Sequence, residues 1–267
     1  MKSNAILGVG FLVSAVVILG FGPRARAQAN QWGNVKGTIV WGGKDLPKQL
    51  PLPQVAGSPD KAACTMGGHV VVSEDYVVNP KNKGLRWTFV WLANNDVANK
   101  EPLPIHPDLK ALKVKKVVLD QPLCAFIPHA LAMREGQDLV AKNSANIAHN
   151  LKWTGVANPG GNVLIPAGGS LDVKGLVADL RFPVKLECNI HPWMNGWLRI
   201  FPHPYYAVTD ADGAFEIKDA PAGPHRLMVW NGTDGWLGGA KGKTGTPINI
   251  KAGATVDLGS LNFPPPS

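Results

Sequence analysis

The chain has 267 residues, 45% of them hydrophobic and 17% charged, with 30 glycines and 23 prolines. That length allows one large or two small domains with real cores, and so many turn formers favour short strands over long helices. The formal charge of +8 is mild and does not make the strongly basic surface of a nucleic-acid binder.

At the N-terminus Lys2 precedes an apolar stretch over residues 5–22, and Ala25-Arg26-Ala27 follows. A basic start, an apolar middle and small residues at the −3 and −1 positions predict a signal peptide over residues 1–27. The stretch is nearly long enough to span a bilayer, so an uncleaved leader would be a membrane anchor. Lys2, Arg24 and Arg26 belong to this leader, which leaves about +5 on the mature chain. Either way the folded part is expected outside the cytoplasm, periplasmic or extracellular. There, two of the three cysteines, Cys64, Cys124 and Cys188, are expected to pair, and a third needs a reason to stay free.

Residues 35–41 alternate as a half-buried strand does, and a Pro-rich connection runs over 46–53. Residues 70–78 and 85–92 read as two further strands, the second strongly apolar and aromatic. Pro102, Pro104 and Pro107 keep 97–112 a loop with at most a short helix. Short strands then follow closely over 117–119, 130–133, 139–142 (after the Gly136 turn), 148–153, 170–173, 184–188 and 196–201. Residues 208–217 read as a hairpin turning at Asp212-Gly213, and Pro221-Ala222-Gly223 turns the chain before a strand at 226–230. With no long amphipathic helix and no internal repeat, the fold class is all-β, built as sandwich or barrel.

The chemistry concentrates in Cys188-Asn189-Ile190-His191-Pro192-Trp193-Met194. A thiolate at a strand end, an imidazole three residues on and a thioether three further can turn toward one point in a tight loop. Cysteine with two histidines and a weak methionine is the ligand set of electron-transfer copper. The second histidine must come from elsewhere; His149 lies 39 positions upstream, on a strand that a sandwich can set beside that of Cys188. Zinc prefers Cys, His and carboxylate and gains little from Met194. A free exported thiol would also be open to oxidation unless a metal or burial protects it.

Other candidates are weaker. His129 reads as a hydrogen-bonded structural histidine, with a second metal role as the lesser reading, and His69, His106, His203 and His225 as surface or turn residues. Asp210-x-Asp212-Gly213 lacks the ligating Glu of a calcium loop, and Leu237 stands where a phosphate loop before Gly242-Lys243-Thr244 requires glycine. Lys110, Lys113, Lys115 and Lys116 read as a solvated edge.

Residues 114–202 resemble a cupredoxin, and Cys188-x2-His191-x2-Met194 is similar to the short ligand loop of amicyanin. The order Asn143-Ser144, His149-Asn150, Gly168-Gly169-Ser170 also fits. The resemblance implies one type 1 copper held by His149, Cys188, His191 and, axially, Met194, with Asn150 steadying the ligand loop by hydrogen bonds. It also implies that His191 reaches the surface through an apolar patch where electrons leave, a patch that Pro192, Trp193 and Pro159-Gly160-Gly161 would form. The whole chain is similar to exported bacterial proteins described as plastocyanin-like or methylamine-utilisation-like. The shared runs are Cys124-x-Phe126-x-Pro128-His129 and Asn189-Ile190-His191-Pro192-Trp193-Met194.

Residues 208–230 resemble the carboxypeptidase regulatory-like (transthyretin-like) sandwich, whose usual first strand, Lys36-Gly37-Thr38-Ile39-Val40, stands here at the other end of the chain. The resemblance therefore implies a Greek-key cupredoxin over 113–202 inserted into a discontinuous second sandwich made of 33–112 with 203–264. Cys64 and Cys124 are then free to form a disulfide joining the two parts.

The function expected is exported single-electron transfer, with a transient redox protein as partner. The chain is not expected to be an enzyme, since Cys188 is flanked by Glu187 and Asn189 and no His-x-His pair is present. The alternative is a copper-binding or cell-surface interaction module, for which the nine tryptophans offer contact surface.

Overall fold

The computed structural model describes residues 31–99 and 101–263; the leader expected at 1–27 lies outside them. Two strands come first, β1 (Trp32–Trp41) and β2 (Thr88–Asn94), with the short helices α1 (Pro53–Ala56) and α2 (Lys61–Cys64) between them. Next come β3 (Lys116–Asp120), β4 (Ala130–Arg134), β5 (Asp138–Lys142), β6 (His149–Thr154), β7 (Gly161–Ile165), β8 (Ser170–Val173), β9 (Val184–Glu187) and β10 (Asn195–Phe201). The chain closes with β11 (Tyr206–Val208), β12 (Ala214–Pro221), β13 (Gly223–Asn231), β14 (Gly235–Trp236), β15 (Thr246–Ile250) and β16 (Thr255–Phe263). The fold is all-β. Among the described residues no helix is long and apolar enough to cross a membrane.

Among the described residues the strands form four sheets around two cores. In the first pair of sheets, β1 is flanked by β12, antiparallel, and β16, parallel, opposite the sheet β11-β2-β13-β14 with β15 added on β13. Every second residue of β1 is buried, and Val35 and Ile39 meet Leu92, Phe215, Leu227 and Phe263 in one core. The partners of β1 lie far along the chain: Val35 pairs with Ile217 and Trp41 with Phe263. In the second pair, β4-β10-β9-β6-β7 lies over β3-β5-β8, enclosing Leu119, Met133, Leu139, Leu151, Leu186 and Leu198.

β2 explains how the two cores are coupled. Its first five residues are all buried, because it is covered on both faces and so reads as a continuous apolar run. Val90 and Leu92 face the first core, while Phe89 and Trp91 join Ala130, Phe201, Met228 and Trp230 in a third cluster between the sandwiches. Arg199 of β10 is buried in this junction, its guanidinium 4.5 Å from the Trp91 ring and 4.8 Å from that of Trp230. Cation–π contact with these rings compensates part of the lost hydration, and burial brings its pKa down to about 9, so it stays charged at neutral pH.

Several expectations change. Residues 70–78 are not a strand: Val72 bridges only Pro51 and Val78 only Leu85. Pro51 has no N–H to give and Pro53 follows it, so a ladder cannot extend there. Residues 208–217 are not a hairpin either, since β11 pairs with β2 and β12 with β1. The Asp210–Gly213 turn carries the chain from one sheet to the other. Gly213 has φ +74°, and a Cβ there would collide with the Ile39 carbonyl; Asp212 accepts from the side-chain amide of Asn79 at 2.7 Å.

The third change matters most for the site. The whole of 33–112 was expected in the sandwich containing β1, yet Val55, Cys64 and Val71 pack into the core enclosed by β3–β10. The reason is covalent as well as apolar: Cys64, at the end of α2, is disulfide-bonded to Cys124. The segment from Pro51 to Glu74 thereby forms a strap across the end of the second sandwich. Finally, His203 and His225 are buried rather than superficial. His203 Nδ1 accepts the Tyr205 N–H at 3.2 Å, and His225 Nε2 lies 2.7 Å from the Pro221 carbonyl.

Candidate metal centre

β9 and β10 are antiparallel neighbours joined by the loop 188–194, with Asn195 opposite Glu187. The loop closes on itself: the Cys188 N–H donates to the Met194 carbonyl at 3.2 Å, and the Met194 N–H to the His191 carbonyl at 2.8 Å. β6 lies against β9, with Lys152 opposite Glu187, which brings His149, the first residue of β6, to the same end of the sheet as Cys188.

The outcome is a buried donor cluster. Ligand atoms of His149, Cys188 and His191 lie within 4.8 Å of one another. Nδ1 of His149 is 3.0 Å from Nδ1 of His191, which is 3.9 Å from the Cys188 sulfur. His149 Nε2 is buried without a hydrogen-bond partner, so this ring engages polar groups only through the nitrogen facing the cluster. Met194 is 98% buried in the same core as Cys188, at the end of the closed loop.

Asn150 fastens the loop. Its side-chain oxygen accepts the N–H groups of Asn189 at 2.8 Å and Ile190 at 3.3 Å and lies 3.3 Å from the Cys188 sulfur; its amide donates to Asn162 at 2.6 Å. For Cys188, burial works to raise the thiol pKa, but hydrogen bonds from His149, His191 and the Asn150 backbone outweigh it and bring it to about 5. For His191, burial opposes the charge, yet Cys188 and then Asp60 hold its pKa above the usual histidine value. A cysteine facing two imidazoles in a water-poor pocket fits a metal ion that takes sulfur and nitrogen donors, such as copper.

His191 differs from its expected setting. It is only 1% exposed, not at the surface, because the strap covers it. Asp60, immediately before α2, places its carboxylate 3.1 Å from His191 Nε2, and the sulfurs of the Cys64–Cys124 disulfide lie within 4.8 Å of a His191 ring nitrogen. No sequence signal singles out Asp60, which is 131 positions away in a stretch that reads as an ordinary loop.

Of the patch expected near the loop, Pro192, Pro159 and Gly160 are exposed and Gly161 is half-exposed, and further apolar side chains are exposed beside Asn150. Leu164 on β7, opposite Asn150, is 62% exposed and Ile190 is 43% exposed. Both flank Asn150, whereas Trp193 is partly buried against the His191 ring, 5.2 Å between centroids. His129 stands outside the donor cluster, buried, its Nδ1 4.0 Å from a Glu74 oxygen; burial brings its pKa down to about 4.

A scan against protein-family models and a search of curated proteins find no match. Among solved structures the chain is similar to cupredoxins. The Cu(I) form of an amicyanin variant aligns at 14% identity over 34% of this chain and 86% of that one, TM-score 0.29. A purple cupredoxin from Nitrosopumilus maritimus aligns at 17% identity over 32% of this chain and 98% of that one, TM-score 0.27. A Cu-containing nitrite reductase from Thermus scotoductus SA-01 aligns at 19% identity over 37% of this chain and 25% of that one, TM-score 0.30. These likenesses cover about a third of the chain.

Proposed function

We propose that this chain is an exported copper protein that carries single electrons through a site formed by His149, Cys188, His191 and Met194. The observation that supports this most strongly is the convergence of one acidic thiol and two imidazole Nδ1 atoms in a buried cluster. Copper bound there would supply a one-electron Cu(I)/Cu(II) couple.

The protein's part is to keep the donors in place. The pairing of Lys152 with Glu187 fixes β6 relative to β9, so the His149-to-Cys188 spacing is set by a sheet and not by a loose loop. Asn150 ties down the two residues after Cys188. Burial of all three donors keeps water from competing for them. A site so constrained needs little rearrangement when its charge changes by one.

We read the chain as a carrier and not an enzyme: Glu187 and Asn189 flank Cys188 and provide no imidazole bridge to a second metal. Leu164 and Ile190, exposed beside Asn150, offer a small apolar patch suited to a transient redox partner. The sandwich of β1, β2 and β11–β16 is read as a discontinuous carboxypeptidase regulatory-like domain that carries the inserted copper domain. Protein loaded with one equivalent of copper should cycle reversibly and within seconds between ascorbate and ferricyanide, with its copper retained. Copper that is bound but fails to cycle, or is lost on cycling, would leave metal binding or surface interaction as the function.

A further inference from the structure

We propose that Asp60 is a positioning residue of this centre. Its carboxylate holds the Nε2–H of His191, so that Nδ1 faces Cys188 and His149, and its negative charge favours the oxidised state of the bound metal. The inference rests on the copper reading for its second half only. The first half is a statement about the protein itself.

The geometry is specific. His191 turns Nδ1 toward His149 at 3.0 Å and toward Cys188 at 3.9 Å, which leaves Nε2 as the nitrogen facing out. At 1% exposure of the residue, that nitrogen meets the Asp60 carboxylate at 3.1 Å. A carboxylate on the distal nitrogen fixes the tautomer and ring orientation of a metal-binding histidine and makes it a better donor. About a third of the Asp60 side chain remains exposed.

The strap is built to keep Asp60 there. Ser58 Oγ accepts the Asp60 N–H at 3.1 Å, and the Asp60 carbonyl accepts the Cys64 N–H at 3.0 Å. Cys64 is in turn bonded to Cys124, with both sulfurs beside the His191 ring. The disulfide and the aspartate therefore act as one clasp, one covalent and one charged, on the same imidazole. The electronic consequence follows from charge alone: a fixed anion near a metal that alternates between +2 and +1 stabilises the higher charge.

The test uses the full mature chain and the variants Asp60→Asn, Asp60→Ala and Asp60→Glu. In metal-free protein at pH 8, ¹H–¹⁵N NMR should show a slowly exchanging His191 Nε2 proton in the wild type and in Asp60→Glu, and none in Asp60→Ala. Equal exchange in wild type and Asp60→Ala overturns the positioning role, whatever the metal. With copper bound, Asp60→Asn should shift the Cu(I):Cu(II) ratio at fixed potential at least tenfold toward Cu(I), equivalent to about 59 mV for a one-electron couple, while Asp60→Glu stays within threefold of wild type. A shift under twofold in Asp60→Asn overturns the electronic role. A wild-type chain that takes up no copper refutes the copper reading and the electronic role with it, while the NMR comparison still decides the clasp.

Discussion

Replacing Asn150 by alanine tests whether the ligand loop is held by the hydrogen bonds described. The side-chain oxygen accepts two backbone N–H groups, from Asn189 and Ile190, and the amide donates to Asn162. With the Cys188 pKa near 5, the sulfur is a thiolate at pH 7 and donates nothing to Asn150, so its 3.3 Å approach is left out of the sum. Each N–H group left without a partner in a partly buried loop costs about 1 kcal/mol, and the exposed Asn162 bond about half that. Asn150→Ala should therefore lower the unfolding free energy of the metal-free protein by roughly 2–3 kcal/mol. Urea denaturation followed by tryptophan fluorescence measures this. The variant should also bind copper more weakly, since the loop carrying Cys188 and His191 is no longer tied to β6. A loss under about 0.5 kcal/mol with unchanged copper affinity would refute the role given to Asn150.

Two further outcomes follow from the same structure. The Cys64–Cys124 disulfide spans 60 residues of sequence, and the chain-entropy relation puts its contribution at about 4 kcal/mol. The double variant Cys64→Ser with Cys124→Ser should lose about that amount in urea titrations, and a change under about 1 kcal/mol would mean the strap is held by packing alone. His203 is buried and its pKa is pulled down to about 4, chiefly by burial, whereas in an unfolded chain it titrates near 6.5. Between those values the unfolded state binds more protons, so stability is full above about pH 6.5 and is lost as the pH falls to about 4, by about 3 kcal/mol for this group. Urea titrations of the metal-free protein at pH 7, 5.5 and 4 should show that slope reduced in His203→Gln; an identical slope would contradict it.

The sequence was most legible where one local pattern decides the outcome. The alternation over residues 35–41 marks β1 because its buried positions recur every second residue, and the spacing of Cys188, His191 and Met194 marks a loop that folds back on one point. β7 and β14–β16 escaped notice. β7 shows why: it is an edge strand with exposed Val163 and Leu164 beside half-exposed Gly161, so no burial rhythm is imprinted on it. Residues 70–78 misled in the opposite direction, being apolar enough for a strand but set against Pro51, which has no N–H to extend a ladder.

The burial of His191 was out of reach for a different reason. The expected Cys64–Cys124 disulfide ties the strap to the second part of the chain, but nothing in the sequence around Asp60 records that its carboxylate meets His191. The junction shows a middle case. The run Phe89-Val90-Trp91-Leu92 announces burial on both faces, yet which face meets which sandwich depends on the pairing of β2 with β11 and β13.

The identity of the site rests on one spectrum: visible absorption of the protein from residue 28 onward, after addition of one equivalent of Cu(II), beside Cys188→Ser under the same conditions. An intense blue thiolate-to-copper band in the wild type that is absent from the variant is the expected result. A colourless wild type, or one that takes up zinc in preference to copper, would contradict the ligand assignment and with it the proposed electron-carrier function.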